Sequence, residues 1–242
     1  MNISNNKILI TGGASGIGLG LAEKFLQENN KVIICGRREN LLEEIAAKYP
    51  AIITRRCDLS IASEREELYR WISSEHKDLN VLVNNAGIQK YISVSDTGFF
   101  EQAKEEMAIN IEAPLHLTSL FIHLKFLNTI INVTSGLAFA PMAKMPVYCA
   151  SKAFLHSFTL SLRHLVKPGK IEVIELIPPA LNTDLGGKGI HYYAPPVDEF
   201  IEAVFEQLKA GKTELSFGFS NAMTKAGPDE LEKAFKRMNN AD

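Results

Sequence analysis

The residues with the clearest chemical potential are a tyrosine and a lysine four positions apart. Tyr148 and Lys152 lie in "PVYCASKAFLHSF", within a segment from 147 to 167 whose apolar residues recur at helical spacing. Residues four apart share one face of a helix. A lysine ammonium favours the ionised phenol and lowers its pKa from about 10, so the phenol could exchange a proton near neutral pH. The alternative is a core tyrosine beside an exposed lysine, because the spacing alone is not specific.

A serine follows an apolar run upstream of that pair. Ser135 comes directly after "TIINVT" (129–134), which is typical of a buried strand. Parallel α/β folds bind ligands at the carboxyl ends of their strands, where a serine hydroxyl can hold a substrate oxygen beside the phenol. The alternative role for Ser135 is to turn or cap the chain before Gly136. The three side chains together predict proton transfer at a substrate oxygen.

A glycine-rich stretch near the start of the chain is typical of a nucleotide-binding loop. "TGGASGIG" (11–18) follows an apolar run and opens an amphipathic segment, with Gly12, Gly16 and Gly18 as its spaced glycines. A strand, a glycine-rich turn and a helix N-terminus together leave backbone N–H groups free for a pyrophosphate. The alternative is a turn with only a folding role. It is not a Walker loop, because no Lys-Ser/Thr pair follows the last glycine.

Two arginines stand where dinucleotide-binding folds often place a ribose-binding acid. "VIICGRREN" (32–40) runs from an apolar strand into Gly36, Arg37 and Arg38. Glycine removes a carboxylate that would repel a 2′-phosphate, and a guanidinium can grip that phosphate or stack on adenine. The alternatives are a solvated basic turn, or a Glu39 side chain that binds a ribose hydroxyl. Ser15 supplies no further positive charge.

These residues need a scaffold, and the hydrophobic pattern predicts one. Strand-length apolar runs alternate with longer amphipathic segments, which is typical of β-α-β repetition. The strand candidates are 7–11, 31–35, 51–57, 81–83, 129–134 and 171–177. The helix candidates are 17–29, 39–49, 62–76, 100–126 and 147–167. We therefore expect an α/β fold: a single-domain, Rossmann-like, doubly wound parallel sheet of about seven strands, flanked by helices on both faces. The first five runs are apolar throughout or nearly so, which predicts strands covered on both sides.

One glycine- and proline-rich stretch interrupts this pattern without dividing the chain. "DLGGKGIHYYAPP" begins at residue 184, and we expect a substrate-binding loop over 184–200 within a single domain spanning 1–242. Its His191, Tyr192 and Tyr193 either line a pocket or belong to a mobile surface loop.

Composition excludes several function classes. The chain has 242 residues and a net charge of −2 without a basic run, so no nucleic-acid partner is expected. No apolar stretch reaches the roughly 18 residues of a membrane span, and no signal peptide is evident. The three cysteines lack metal-type or CxxC spacing, which predicts reduced thiols in a cytoplasmic protein. The histidines show no metal spacing, so no metal is expected. Cys149 is expected to be a packed thiol, and His156 a core or interface residue.

The ordered motifs resemble the short-chain dehydrogenase/reductase family, in its branch of roughly 250 residues, from about residue 6 to 240. "TGGASGIG" resembles the family's phosphate loop, "CDL" (57–59) its adenine-contacting site, and "NNAG" (84–87) the stretch beside the cofactor. "PPALNT" (178–183) resembles the segment around the nicotinamide, although Pro179 replaces the usual glycine and removes an N–H. "VTSGLAF" and "PVYCASKA" are similar to a bacterial subgroup named after the D-alanyl-lipoteichoic-acid gene cluster.

The resemblance implies hydride transfer between a nicotinamide cofactor and a small-molecule carbonyl or alcohol. It implies that Ser135 holds the substrate oxygen, Tyr148 exchanges the proton, Lys152 binds the nicotinamide ribose and Asn110 keeps a relay water. With Gly36 and Arg37 after the second strand, NADP(H) is the expected cofactor and NAD(H) is the alternative. A homodimer or homotetramer is implied. The alternative is a nucleotide sensor with little turnover. The implied cofactor-binding residues are Gly12, Ser15, Gly16, Ile17, Gly18, Arg37, Arg38, Asp58, Leu59, Asn85, Ala86, Gly87, Tyr148, Lys152, Pro178, Leu181 and Thr183.

Overall fold

One parallel β-sheet organises the chain in the computed structural model, which describes residues 1–240. Its strands are β1 Lys7–Thr11, β2 Lys31–Gly36, β3 Ile52–Arg56, β4 Val81–Asn84, β5 Thr129–Val133, β6 Glu172–Ile177 and β7 Glu214–Ser216. They lie in the order β3-β2-β1-β4-β5-β6-β7, and every neighbouring pair is parallel. The direction of strand order reverses between β1 and β4. In doubly wound sheets such a switch point opens a crevice at the strands' carboxyl ends, where ligands bind.

Helices cover both faces of this sheet, as the alternating pattern predicts. They are α1 Gly16–Gln27, α2 Glu39–Lys48, α3 Ala62–Glu75, α4 Phe99–Met107, α5 Ala113–Phe121, α6 Pro146–Leu165, α7 Val197–Lys209, α8 Gly218–Met223 and α9 Pro228–Asn239. Side chains of α1, α2 and α7 pack on one face, and those of α3, α5 and α6 pack on the other. The predicted fold class is confirmed.

The core follows from the pleat of the central strands. Along β1, Ile8 and Ile10 join the cluster under α1 and α7, while Leu9 between them joins the cluster under α3 and α5. All three side chains are fully buried. A strand with apolar residues at successive positions must be covered on both sides, which explains why this run does not alternate with polar residues. The crevice-forming ends of β1 and β4 are therefore fixed by packing on both faces.

Two expectations about elements are corrected. The run 51–57 forms an edge strand, β3, with Ile53 37% exposed, so this strand is not covered on both faces. The segment 100–126 is not one uniform helix: a π-helical turn, Ala108–Glu112, joins α4 to α5, and α5 ends at Phe121. In a π-turn the backbone hydrogen bonds skip one more residue than in an α-helix, which widens the helix locally.

Neither a membrane span nor a metal cluster is found within residues 1–240. The helices in this part of the chain are too short or too polar to cross a bilayer. No three His, Cys, Asp or Glu side chains in the same range lie together as metal ligands would.

Candidate active site

Helix α6 places the tyrosine and the lysine side by side in the wall of a cavity. Tyr148 and Lys152 are 5% and 4% exposed, and both line the same cavity of about 1040 Å³. The Lys152 Nζ donates a hydrogen bond of 2.9 Å to the carbonyl oxygen of Val133 at the end of β5. It lies 5.6 Å from the centre of the Tyr148 ring. The four-residue spacing therefore does put both groups at one site.

Ser135 lies beside the Tyr148 phenol, at the start of the 3₁₀ turn that follows β5. Its Oγ accepts a hydrogen bond of 3.1 Å from the backbone N–H of Leu137, so the residue caps that turn. Its hydroxyl also lowers the pKa of the Tyr148 phenol. The two roles considered from the sequence, cap and neighbour of the phenol, are compatible in one side chain.

Burial dominates the ionisation of this pair. It raises the pKa of Tyr148 well above the usual value, although the Ser135 hydroxyl opposes the shift. Burial lowers the pKa of Lys152 to about 8. The phenol pKa is therefore raised in this structure and not lowered as expected, because burial disfavours the phenolate and the Ser135 hydroxyl only partly opposes it. The phenol is protonated at neutral pH, which suits a proton donor.

Asn110 occupies the π-turn and ties it to the chain after β4. Its Oδ1 accepts 2.9 Å from the N–H of Ile88, and its Nδ2 donates to the Ile88 carbonyl (2.8 Å) and to the Ser151 hydroxyl (3.1 Å). A Cβ added at Gly87 would lie 3.4 Å from both Asn110 Oδ1 and Lys152 Nζ. The asparagine thus faces the lysine across Gly87, although it does not itself line the cavity.

The glycine loop depends on close approach of backbone to backbone. Gly12 has φ +65°, a left-handed conformation that favours glycine. A Cβ on Gly18 would lie 2.4 Å from the Gly12 carbonyl oxygen and 2.5 Å from the Asn85 Nδ2. The first turn of α1 therefore packs directly against the loop, and its Gly16, Ile17 and Gly18 line the cavity. The unpaired N–H groups of a helix's first turn are suited to bind a phosphate there.

Thr11 connects this loop to the chain after β4. Its Oγ1 accepts from the N–H groups of Asn85 (2.9 Å) and Ala86 (3.0 Å), and donates to the Val83 carbonyl (3.2 Å). The Asn85 Nδ2 donates to the Thr11 carbonyl (2.8 Å). These bonds hold the two sides of the switch-point crevice at a fixed separation.

The two arginines after β2 border the far end of the same cavity. The Arg38 Nη2 donates 2.8 Å to the Ser15 Oγ, which links α2 to the glycine loop. A Cβ at Gly36 would meet open space. Burial would raise the pKa of Asp58, but hydrogen bonds from Ser60 and the charges of Arg37 and Arg56 outweigh it and lower that pKa. The arrangement presents positive charge and a hydroxyl without an acid at position 36.

Most of the predicted site residues line this one cavity. Those that do are Gly12, Ser15, Gly16, Ile17, Gly18, Arg37, Arg38, Asp58, Leu59, Asn85, Ala86, Gly87, Tyr148, Lys152, Pro178 and Thr183. Leu181 does not: it is 3% exposed, and its side chain packs in the core under α7 and not on the cavity wall. Asn182 and Thr183 take that side of the wall instead.

The loop that begins at residue 184 lines the cavity, but not through its aromatic residues His191, Tyr192 and Tyr193. Leu185 and Gly186 line the wall. His191 turns inward, and its Nε2 lies 3.0 Å from the Leu185 carbonyl oxygen, while Tyr192 and Tyr193 are 80% and 70% exposed. The tyrosines therefore lie on the outer surface, and the predicted loop 184–200 ends in the first turn of α7.

Several residues of the site were not found from the sequence. Thr11 lies within "TGGASGIG" and Thr134 at the end of "TIINVT", but neither was given a role, and Gln89 lies two residues after "NNAG". Position within or beside these motifs was the available signal. The sequence offers no signal for Glu106, because an acidic residue on an amphipathic helix is usually solvated. Its Oε1 accepts 2.8 Å from the N–H of Lys90, the side chain is fully buried, and burial raises its pKa.

A family model described as short chain dehydrogenase matches residues 6–191. The chain belongs to the short-chain dehydrogenase family. This dehydrogenase is 43% identical to an uncharacterized oxidoreductase, DltE, of Bacillus subtilis (strain 168), over 99% of this chain and 98% of the relative. It is 30% identical to a Bacillus cereus protein named benzil reductase ((S)-benzoin forming), over 74% of this chain and 76% of that protein.

Solved structures of other short-chain dehydrogenases share the fold. One from Burkholderia cenocepacia J2315, in complex with NADP, has a TM-score of 0.84 and 25% identity, covering 98% of this chain and 99% of that one. Another from Burkholderia phymatum, in complex with NAD, has a TM-score of 0.79 at 17% identity, which shows the fold alone. The protein is thus an NAD(P)-dependent oxidoreductase of this family.

Proposed function

We propose that this dehydrogenase transfers a hydride between NADP(H) and a small-molecule carbonyl or alcohol, with Tyr148 as general acid and base. The observation that carries the proposal is that Tyr148 and Lys152 line the same cavity as the glycine loop. A dinucleotide held by that loop and a substrate beside the phenol would therefore share one space. The fit of a dinucleotide is supported by the close-packed glycines and by the open space beside Gly36.

Each polar side chain has a role in this chemistry. Bound NADP(H) would supply or accept the hydride at its nicotinamide. In reduction the Tyr148 hydroxyl donates its proton to the carbonyl oxygen, and in oxidation the phenolate takes a proton from the alcohol. The Ser135 hydroxyl donates to the same oxygen and orients it. Lys152 would bind the nicotinamide ribose, and Asn110 would keep a proton-relay water in place.

Preference for NADP(H) over NAD(H) is supported by Arg37 and Arg38. A guanidinium binds a phosphate through parallel charge-assisted hydrogen bonds. The Ser15 hydroxyl, which accepts from Arg38, holds one guanidinium next to the glycine loop. Glu39, the residue considered for a ribose hydroxyl, is not among the residues that line the cavity. NAD(H) remains the alternative cofactor, and binding of NADPH and NADH to an Arg37 variant distinguishes the two.

The remaining parts of the proposal concern the whole chain. Residues 1–242 act as one dinucleotide-binding and catalytic domain, with the cofactor along the lining residues named above. The loop 184–200 binds substrate through Leu185 and Gly186. Cys35, Cys57 and Cys149 are buried free thiols, which supports a reducing, cytoplasmic location.

The decisive experiment replaces the phenol and leaves the ring. We expect Tyr148→Phe to lower kcat/KM for NADPH-dependent reduction of aldehydes and ketones by about 10²–10⁴-fold, because it removes the general acid. NADPH affinity, measured by fluorescence titration, should stay within about twofold of wild type, since only the hydroxyl is lost. Tyr192→Phe, on the outer surface of the loop, is the matched control and should retain full activity.

Two outcomes would contradict the proposal. Equal activity of wild type and Tyr148→Phe would exclude the tyrosine as the acid. Tight NADPH binding by the wild type without turnover of any aldehyde, ketone or alcohol in a broad panel would instead favour the nucleotide sensor.

A further inference from the structure

A buried amide that the catalytic roles leave unused lines the cavity next to the active site. Gln89 is 8% exposed and belongs to the same wall as Tyr148. Its Nε2 makes no hydrogen bond of normal geometry within residues 1–240. The nearby Tyr91 hydroxyl interacts with it weakly: burial raises the pKa of Tyr91, and the Gln89 side chain opposes that shift. Leaving a buried N–H unpaired costs roughly 1–3 kcal/mol, so an acceptor from a bound ligand or an ordered water is expected at such a group.

The backbone on both sides of Gln89 is held in place. Ile88 exchanges hydrogen bonds with the Asn110 side chain, and the N–H of Lys90 donates 2.8 Å to Glu106. The amide itself touches the substrate loop, because a Cβ added at Gly186 would lie 2.8 Å from the Gln89 Nε2. The donor is therefore preorganised between two anchored residues, as a recognition group needs to be.

The residues around the Gln89 Nε2 belong to the part of the cavity that contains the Tyr148 phenol and an apolar wall. Gln89 and Tyr148 line the same cavity, and the N–H of Lys90 next to Gln89 donates to the buried Glu106. Leu185 lines the cavity and packs on the Tyr148 cluster, and Tyr91 borders Gly186 at 48% exposure. A ligand on this side of the cavity meets apolar and aromatic surface with one unpaired N–H donor.

We propose that Gln89 is a specificity-determining residue whose Nε2 donates a hydrogen bond to a second, neutral oxygen of the substrate. This inference rests on the proposed function and names its substrate class: carbonyl compounds with a second carbonyl oxygen close to the reacting one and an apolar or aryl substituent. A neutral amide beside a buried acid selects a neutral acceptor over a carboxylate. A monoketone of the same skeleton leaves the amide unpaired and binds less well.

The test compares Gln89→Met on matched substrates. Methionine keeps the unbranched length of glutamine and removes both N–H donors. The substrates are pairs of aryl- or alkyl-substituted vicinal diketones and monoketones with the same carbon skeleton. We expect kcat/KM for the diketones to fall about tenfold, mainly through KM, because a hydrogen bond present before and during the reaction contributes uniform binding. For the monoketones kcat/KM should change less than about twofold.

Control measurements separate recognition from packing. Gln102→Met, on α4 and outside the cavity lining, should leave both substrate series unchanged. NADPH affinity of Gln89→Met should equal that of wild type. An equal loss on diketones and monoketones would assign Gln89 to packing of the loop, and a loss of NADPH affinity would assign it to the cofactor. No change on either series would also overturn the proposal. If wild type reduced neither series, hydride transfer to carbonyls itself would fail, and the Gln89 assignment with it.

Discussion

At the scale of single residues, the two arginines after β2 differ in how they are held. Arg38 is bonded to Ser15 and is fixed against the glycine loop. Arg37 acts on Asp58, whose pKa its charge helps to lower. Because Asp58 partly offsets Arg37, the positive field that a 2′-phosphate would meet depends on both guanidinium groups. The sequence identified both arginines, but the bond from Arg38 to Ser15 requires the turn geometry that brings α2 to the loop.

Reversing the charge at Arg37 tests the cofactor assignment. We expect Arg37→Asp to weaken NADPH binding about 10–100-fold, because a charge-assisted hydrogen bond is lost and a carboxylate repels the phosphate. NADH, which lacks that phosphate, should bind within about threefold of its wild-type affinity. Calorimetric titration of each dinucleotide measures both. Arg70→Asp, an exposed change on α3, is the control, and an equal loss of both cofactors would refute the assignment.

The proposed catalytic residues show which part of a site a sequence can predict. Residue types, order and spacing located Ser135, Tyr148 and Lys152, since a helix face and a strand end follow from local pattern. The direction of the Tyr148 pKa shift did not follow, because it depends mainly on how deeply the phenol is buried, with Ser135 opposing the shift and Cys149 and Glu106 adding to it. Desolvation and long-range charge are tertiary properties. The family match supplies no information on them.

At the scale of elements, one buried acid joins α6 to the sheet beside the active site. Glu175 on β6 is fully buried, and its Oε1 accepts 2.7 Å from the Thr134 hydroxyl, next to Ser135. The His156 Nδ1 lies 2.9 Å from the same oxygen. His156 is thus a partly buried residue, as expected, but with an acidic partner that hydrophobic spacing could not reveal. The hydrogen bonds among Thr134, Glu175 and His156 hold the end of β5 against β6 and α6.

This pair predicts a pH dependence of stability. The hydrogen bond to Glu175 raises the pKa of His156; burial and the charge of Arg163 oppose this, and Glu214 assists it. A histidine whose pKa is higher in the folded state stabilises the fold when it is protonated. This contribution is complete below the unfolded-state pKa of about 6.5 and is lost as pH rises through the folded-state pKa. We expect His156→Gln to lower the free energy of unfolding by about 2 kcal/mol at acidic pH, which is less than the loss of a wholly buried pair would cost. The difference from wild type should become smaller as pH rises.

Urea unfolding of wild type and variant across neutral pH measures the difference between them. His164→Gln, an exposed histidine of the same helix, is the control and should show no pH-dependent difference from wild type. A constant difference between His156→Gln and wild type at all pH values would mean that the histidine is not charged by Glu175.

The elements that the sequence located least well are those whose identity depends on neighbours. β3 has an apolar pattern but lies at the sheet edge, and only the strand order shows that Ile53 is exposed. The π-turn at Asn110 has helical periodicity on both sides, so the pattern continues through it. By contrast, β1, β2, β4 and β5 are covered on both faces, and their continuous apolar runs predicted them directly.

At the scale of the whole molecule, the cavity is formed by chain segments that are far apart in sequence. The loop after β1, the turn after β2, the "NNAG" stretch after β4 and helix α6 after β5 meet because parallel strands bring their carboxyl ends to one edge. A change in sheet order would separate them. This explains why one fold prediction placed most of the predicted site residues in one cavity, whereas the loop after β6, proposed to bind substrate, was placed less well.

An apolar groove between α5 and α6 lies away from this cavity. It has a volume of about 580 Å³ and is lined by Leu115, Ile122, Phe158 and Leu162 among others. Phe154, 40% exposed, stacks on Phe158 with ring centres 6.5 Å apart. An exposed apolar surface of this kind on two neighbouring helices is typical of an interface, and a twofold axis would pair it with itself. It supports the expected homodimer or homotetramer.

Placing a charge on that surface tests the assembly. We expect wild type to show two or four times the mass of one chain in sedimentation equilibrium, and Phe154→Glu to dissociate it, because each interface would then bury an unpaired carboxylate. Ile61→Glu, at a site 44% exposed before α3, is the matched control and should keep the wild-type mass. Far-ultraviolet circular dichroism should be the same for all three proteins, since Phe154 is not part of the core. A monomeric wild type, or a Phe154→Glu variant with unchanged mass, would exclude the α5–α6 surface as the interface.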